Sequence, residues 1–383
     1  MFSRPCMPTN IILALVLLFG ALVFGASSAF SAPTLCTMQS LNGRLLPSEH
    51  GEEEAFSFIL VGHAYGAPES GRSVYPSASF CASIPLFVNG SPAFIALLGD
   101  AYWSGGRAIY ADNLVRVLEQ VPFPVYNAPG NHEGDRELYN ARFGSTYGKV
   151  RFGNALLIFL DTDLTAGEIQ GEQLAFFIQE METAERDDQI KAIFVLSHRL
   201  IWAPAMDWTD IVFQHLNSQS GYSSRDRFQA SIHPILTALA ERKQVYWISG
   251  NVGVSWSLPL FWERDPASNV TFGACGLGDT ERDAAILITV DKQGKATPSA
   301  LSLTGQQLLP LESYNTEYWR AYFAGELIQE DEPETPTVSW YVTVAHKAAL
   351  VIRTKTFYAG IIVGLSIAAL IWFALRMRRS LHR

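Results

Sequence analysis

The chain is 383 residues long, 48% hydrophobic and 17% charged, with a formal net charge of −9 and a pI near 5.4. That length suffices for one domain of roughly 250–300 residues plus appendages. The acidic balance leaves no surplus of Lys and Arg to neutralise a phosphate backbone, which excludes nucleic acid as the main partner. A small phosphorylated substrate stays open, because a local cation can outweigh the global charge.

The N-terminus carries Arg4, an apolar run from Ile11 to Phe24 and then the small residues Gly25 to Ala32. That order is the charged, apolar and cleavage regions of a secretory signal, read as residues 1–31, with an uncleaved anchor as the alternative. After a lead-in over 32–54, Ala55 to Val61 reads as a buried strand running into Gly62-His63-Ala64-Tyr65-Gly66. A Pro/Ser/Gly-rich loop is expected through Pro92. Phe94 to Leu98 is a second strand and ends in Gly99-Asp100. Asp112 to Gln120 has helical apolar spacing. Val125 to Ala128 is a third strand and delivers the turn Gly130-Asn131-His132-Glu133. Lys149 to Phe152 and Ala155 to Leu160 read as a hairpin turned at Gly153-Asn154.

Glu172 to Ala184 is an amphipathic helix, and Ala192 to Leu196 a strand ending in Ser197-His198-Arg199. The 203–230 stretch is aromatic and polar and reads as an inserted loop or lid. Ile232 to Arg242 is a helix, and Val245 to Ser249 a strand ending in Gly250-Asn251-Val252-Gly253. Val270 to Cys275, Ala284 to Asp291 and Ala300 to Leu303 read as strands. Residues 311–356 form a linker with an acidic, Pro-containing run from Gln329 to Pro336, then a juxtamembrane segment. Phe357 to Leu375 holds 19 residues without a charge, enough for about 28 Å of helix. Arginines at 376, 378, 379 and 383 follow it, so the tail 376–383 is placed in the cytoplasm and the domain outside, on the periplasmic or extracellular side.

Successive strands therefore end in polar tips: Gly-His, Gly-Asp, Gly-Asn-His-Glu, Ser-His and Gly-Asn. In open α/β sheets ligands gather beyond the carboxyl ends of the strands, so these tips are expected to form one site. This order resembles the calcineurin-like metallophosphoesterases, whose pattern is Asp-x-His, Gly-Asp, Gly-Asn-His-(Asp/Glu), a lone His and Gly-His-x-His. The match spans roughly residues 55–303 and places the domain at 55–310. The resemblance implies an α/β fold of two packed mixed β-sheets flanked by helices, with divalent metals at the strand ends. Such metals clamp a phosphoryl group and lower the pKa of a bound water.

Carried onto this sequence, the resemblance makes Asp100 the bridging carboxylate, Asn131 the amide ligand and His198 an imidazole ligand. His132 matches the non-ligand histidine that assists the leaving group, with Glu133 orienting it. Two blocks depart from the pattern. His63 stands where the first Asp is expected and Tyr65 where its His is expected. Gly250-Asn251-Val252-Gly253 replaces Gly-His-x-His, leaving Asn251 as an oxygen donor. One ion (Mn, Fe or Zn) rather than two is therefore expected, held by Asp100, Asn131, His198 and the Asn251 oxygen, while the other site keeps only Asp100 with His63 or Tyr65. Arg199 can pair bidentately with phosphate oxygens in place of metal charge.

Two functions follow. The first is a membrane-anchored phosphoesterase acting on a phosphorylated small molecule, lipid or glycan. The alternative is a catalytically degenerate module that binds or assembles at the membrane.

Overall fold

The computed structural model describes residues 37–47, 54–66, 74–165, 167–222 and 225–327. The signal-like leader, the acidic run 329–336 and the apolar segment 357–375 lie outside the described residues. Among those described, no helix is long and apolar enough to cross a membrane. Every element named here belongs to the unit that ends at Phe323.

Two mixed sheets make the frame. The five-stranded sheet runs β11-β10-β1-β2-β3, with β1 Phe56–Val61, β2 Phe94–Leu97, β3 Val125–Asn127, β10 Ala284–Val290 and β11 Ala296–Ser302. Its β1, β2 and β3 are parallel, and β10 and β11 continue it antiparallel. The six-stranded sheet runs β4-β5-β6-β7-β9-β8, with β4 Gly148–Phe152, β5 Ala155–Leu160, β6 Ala192–Ser197, β7 Gln244–Ser249, β8 Leu260–Arg264 and β9 Thr271–Cys275. Here β5, β6, β7 and β9 are parallel, and β4 and β8 close the edges antiparallel. The parallel strands are continuous apolar runs because both of their faces are covered.

Between the sheets, Phe58 stacks on Phe94 at 4.8 Å and meets Phe194 of the opposite sheet edge-on at 5.1 Å. Each such buried ring contributes about 1.5–3 kcal/mol through area removed from water. The outer face of the first sheet, with Ile59, Val61, Ile95 and Leu97, packs with Phe80 and Phe87 of helix α1 (Ala78–Gly90) and Leu114 of helix α2 (Ala108–Leu118). This is the sandwich of two mixed sheets flanked by helices that the sequence implied.

Helix α1 replaces the loop expected before Pro92. Ser77 caps it by accepting the Phe80 N–H at 3.1 Å, and Phe80, Ile84 and Phe87 keep helical spacing on its buried side. Pro85 sits inside it, where the missing N–H disguises the periodicity. Helix α3 (Arg136–Phe143) follows the Gly-Asn-His-Glu turn, with the Asp135 carboxylate accepting the Glu137 and Leu138 N–H groups. Helices α4 (Gly171–Arg186), α5 (Asp210–Gln214) and α6 (His233–Ala240) follow in order. Within the stretch read as linker, helix α7 (Thr316–Phe323) packs Trp319 against β8, its indole N–H donating to Leu260 O at 2.9 Å.

Candidate functional site

The ends of β1, β2, β3, β6 and β7 meet where the two sheets abut. The Val61 carbonyl accepts from Leu98 N–H at 2.9 Å, and the Gly99 carbonyl from His63 N–H at 3.1 Å. The His198 carbonyl accepts from Gly250 and Asn251. Asp100 and His63 both adopt left-handed backbone angles, with φ of 53° and 50°. Non-glycine residues rarely take that conformation, and it persists at ligand sites where the surroundings over-determine it. Gly130 is required by proximity, since a Cβ there would lie 2.4 Å from Asp100 Oδ1 and 2.7 Å from the His198 ring.

Asp100 is the hub. Its Oδ1 accepts the His132 main-chain N–H at 3.0 Å. Its Oδ2 faces His198 Nε2 at 3.3 Å and His63 Nε2 at 3.9 Å. Each imidazole has its other nitrogen tied to a main-chain carbonyl, His198 Nδ1 to Leu98 at 2.9 Å and His63 Nδ1 to Leu277 at 2.7 Å. A carbonyl only accepts, so both Nδ1 atoms carry hydrogen, and a neutral ring then presents a lone pair at Nε2. Two lone pairs aimed at one carboxylate oxygen repel it unless a cation lies between them.

A proton on His198 satisfies that need. Burial works against its charge, but the Asp100 carboxylate outweighs burial and lifts the His198 pKa to about 9. Burial dominates at the more distant His63, lowering it to about 4 despite Asp100. Burial also opposes ionisation of Asp100, yet the positive charge of His198 beside it holds it well below the usual carboxylate range.

Glu133 does not orient His132. Its two oxygens accept four N–H bonds, from Asp100 N (3.1 Å), Gly130 N (2.9 Å), Ala101 N (2.8 Å) and Asn127 Nδ2 (3.2 Å). It is a fully buried clamp that shapes the turn. Burial and the neighbouring Asp100 raise its pKa, and the N–H of Ala101 opposes that rise. The ring of His132 is held instead by Trp103, whose carbonyl accepts from Nδ1 at 2.7 Å. Tyr65 lies 3.3 Å from its Nε2 through the phenol oxygen. The tautomer makes Tyr65 the donor there. Burial, with the charges of Asp100 and Glu133, raises the Tyr65 pKa far above neutrality and keeps that proton in place.

The six-stranded side contributes Arg199 and Asn251. Arg199 is buried, with Nε 2.6 Å from Asp163 Oδ1 and Nη1 donating to the Ser220 carbonyl. Nη2 reaches the Asn131 amide oxygen at 3.4 Å, and the guanidinium lies over the Tyr222 ring. Asn131 is exposed, so its amide oxygen turns toward Arg199 at the rim. Asn251 is buried and donates through Nδ2 to the Ser218 carbonyl (3.1 Å) and to the Tyr222 hydroxyl (3.0 Å). Asp163 was not singled out from the sequence, although it follows the end of β5 as the other site residues follow their strands. Asp279 caps helix α1, accepting the Ala78 N–H at 2.8 Å.

The donor set tests the metal centre that the resemblance implies. Two ions do not fit, because no imidazole stands at 251 or 253 and Tyr65 stays a neutral phenol. Among the described residues, no three His, Cys, Asp or Glu side chains are arranged to hold a metal ion. A narrower pair does suit one cation: Asp100 and His198, whose Nε2 is buried with no hydrogen-bond partner, with His63 beside them.

No protein-family model matches this sequence, and no curated protein matches it. The fold is similar to that of a purple acid phosphatase isolated from yellow lupin (Lupinus luteus) seeds. The TM-score is 0.50 at 11% identity, over 68% of this chain and 54% of that one. This chain thus spans about half the length of that phosphatase. The likeness shows that the two chains share a fold and leaves the chemistry to the residues above.

Proposed function

We propose that this chain is a phosphoesterase that works with one divalent ion outside the cytoplasm, tethered by residues 357–375. One observation carries the reading: the two imidazoles, each with its Nδ1–H spent on a main-chain carbonyl, aim Nε2 at the same Asp100 oxygen. Neighbours that fix the tautomer in this way are how ligating histidines are prepared. Asp100 and His198 would hold the ion, with His63 alongside. When bound, the ion supplies positive charge that polarises a phosphoryl oxygen and lowers the pKa of water.

The chain's own groups do the rest. Asp163 fixes the plane of the Arg199 guanidinium, which offers paired donors to phosphate oxygens. His132 is fixed by Trp103 and by its main-chain bond to Asp100, so its Nε2 holds the Tyr65 hydroxyl in place as the proton donor facing the departing alkoxide. The buried Glu133 clamp keeps Asp100 and the turn in register. The shared fold with a phosphatase supports a phosphate ester as substrate, whether a small molecule, a lipid or a glycan.

A second reading, a binding module without hydrolysis, is favoured by the absence of imidazole at 251 and 253 and by the chain's own acceptors on both Nδ2 hydrogens of Asn251 and on Nη1 of Arg199. Metal content of the purified full chain, together with 4-nitrophenyl phosphate hydrolysis in added Mn²⁺, separates the two. The enzyme reading expects about one bound ion and turnover that Asp100→Asn abolishes. Turnover no higher than in Asp100→Asn, with no bound ion, hands the site to the second reading.

A further inference from the structure

The segment from Asn217 to Tyr222 crosses the strand ends and meets the site through main-chain carbonyls. Ser218 O accepts from Asn251 Nδ2, and Ser220 O accepts from Arg199 Nη1. The Tyr222 hydroxyl accepts from Asn251 Nδ2 and from Leu200 N–H at 3.3 Å, while its ring lies 5.5 Å from the Arg199 guanidinium carbon. Asn217 ties down the near end, its N–H donating to the Asn251 carbonyl and its Nδ2 to the Val252 carbonyl.

Ser218 O, Ser220 O and the Tyr222 hydroxyl are oxygens placed against donors of the kind that bind phosphate. The tip is also the part of the strap most open to solvent. Residues 219, 220 and 221 are exposed, whereas Arg199 and Asn251 beneath them are buried. Gly221 holds φ at +75°, and a Cβ there would lie 3.1 Å from the Arg199 guanidinium. The root is anchored separately. Arg320 of α7 pairs with Asp210 at 2.6 Å and donates to the Trp208 carbonyl, and His215 stacks on Phe323 at 3.4 Å. A fixed root and a tip held by exchangeable polar contacts are the parts of a hinged strap.

We propose that Arg199 Nη1 and Asn251 Nδ2 are donors of an oxyanion site, and that residues 218–222 are its built-in occupant, which leaves when a phosphoryl group arrives. Asp163 keeps the guanidinium in place throughout, so the site is preformed and only its acceptor is exchanged. The free chain is thereby self-inhibited: a ligand binds only the fraction of molecules in which the strap is open, and apparent affinity falls by that fraction. The proposal rests on the phosphate-ester reading of the site but not on the metal.

The test uses the full chain, inorganic phosphate as the probe and a chelator to remove metal. Calorimetry compares wild type with Tyr222→Phe, which keeps the ring and drops the hydroxyl, and Gly221→Ala, which crowds the guanidinium. Both variants should bind phosphate roughly tenfold more tightly, the effect expected from removing one or two strap contacts. Arg199→Ala should abolish binding. In wild type, amide exchange over 217–222 should speed up as phosphate saturates the site. The second measurement keeps the proposal testable should a variant fold poorly. Equal affinity in wild type and strap variants, or exchange that slows or stays constant, overturns the strap while leaving the anion site standing. Binding that survives Arg199→Ala, or no binding in any form, overturns the site and the strap with it.

Discussion

The two sides of the cleft are held by different kinds of partner. On the five-stranded side, the Gly-Asn-His-Glu turn is fixed by four buried N–H bonds on Glu133 and by two half-buried bonds at His132, its amide on Asp100 and its ring on the Trp103 carbonyl. On the six-stranded side, Arg199 and Asn251 are satisfied largely by an exposed strap, with Asp163 and Asn131 as the partners of Arg199 outside it. A buried group whose partner is lost cannot turn to solvent, whereas strap carbonyls exchange with water or ligand at little cost. The first side therefore sets geometry and the second responds to what binds. Such a division suits a site that must be rigid where a cation or proton sits and open where a substrate enters.

The hardest test of that division is Asp100, whose carboxylate takes the His132 amide on one side and faces His198 on the other. Asp100→Ala removes the acceptor of the His132 amide and the counter-charge of His198 together. Hydrolysis of 4-nitrophenyl phosphate should drop by at least about 10²-fold. The melting temperature should fall as well, because His198 is left buried without its carboxylate. Activity within a few-fold of wild type would place the chemistry elsewhere. Next in size is Glu133→Gln. An amide offers one acceptor oxygen and brings an NH₂ toward groups that are themselves donors, so about 3 kcal/mol of stability should be lost. Chemical denaturation measures this, and a change under about 1 kcal/mol would remove Glu133 from its role as clamp.

Much of this arrangement is legible in the sequence. The polar tips Gly99-Asp100, Gly130 to Glu133 and Ser197-His198 follow apolar runs, and parallel strands that end together bring such tips to one place. The apolar runs gave the two sheets for the same reason: strands covered on both faces carry a signal that needs no partner to be recognised. What stayed hidden depends on contacts distant in sequence. The Asp163–Arg199 pair spans two strands, and only the folded sheet order makes them neighbours. Glu133 looked like a partner of its neighbour His132 because sequence shows adjacency and not direction. Its side chain in fact turns inward to the Asp100 turn. Helix α1 was masked by Pro85, a local signal that burial of Phe80, Ile84 and Phe87 overrides. Helix α7 lies in a stretch with linker composition and owes its place to Trp319.

The proton between Asp100 and His198 gives a smaller, pH-dependent prediction. His198 is raised from 6.5 to about 9 in the fold, so its contribution is complete below pH 6.5 and is lost as pH rises through about 9. Asp100 shifts the opposite way, so its contribution is present above its ordinary pKa and is lost only in strong acid. Chelator-treated protein should therefore lose stability between about pH 6.5 and 9, on the order of 1–3 kcal/mol. Replacing His198 with Gln should flatten that slope. A saturating divalent ion that binds here should flatten it too, since it takes the place of the proton. A slope that persists unchanged in His198→Gln would assign the titration to another group.

The smallest expected effect is the most discriminating between the two sides. Ser220 presents its main-chain carbonyl to Arg199, and its hydroxyl meets the Ser218 hydroxyl in an exposed stretch. If the strap acts through its backbone, Ser220→Ala keeps the acceptor and should change stability by less than about 0.5 kcal/mol. Phosphate affinity should stay within twofold of wild type. Ser220→Pro is the sharper partner experiment. Proline keeps the carbonyl but loses the N–H that donates to Ser218 Oγ at 3.2 Å, and it restricts the backbone on both sides. The strap should then fit the strand ends less well, and phosphate affinity should rise while the Glu133 clamp and the melting temperature hold nearly steady. A large loss of global stability in Ser220→Pro would instead mean that the strap is as integral to the fold as the buried turn opposite it, and the two sides of the cleft would no longer differ in kind.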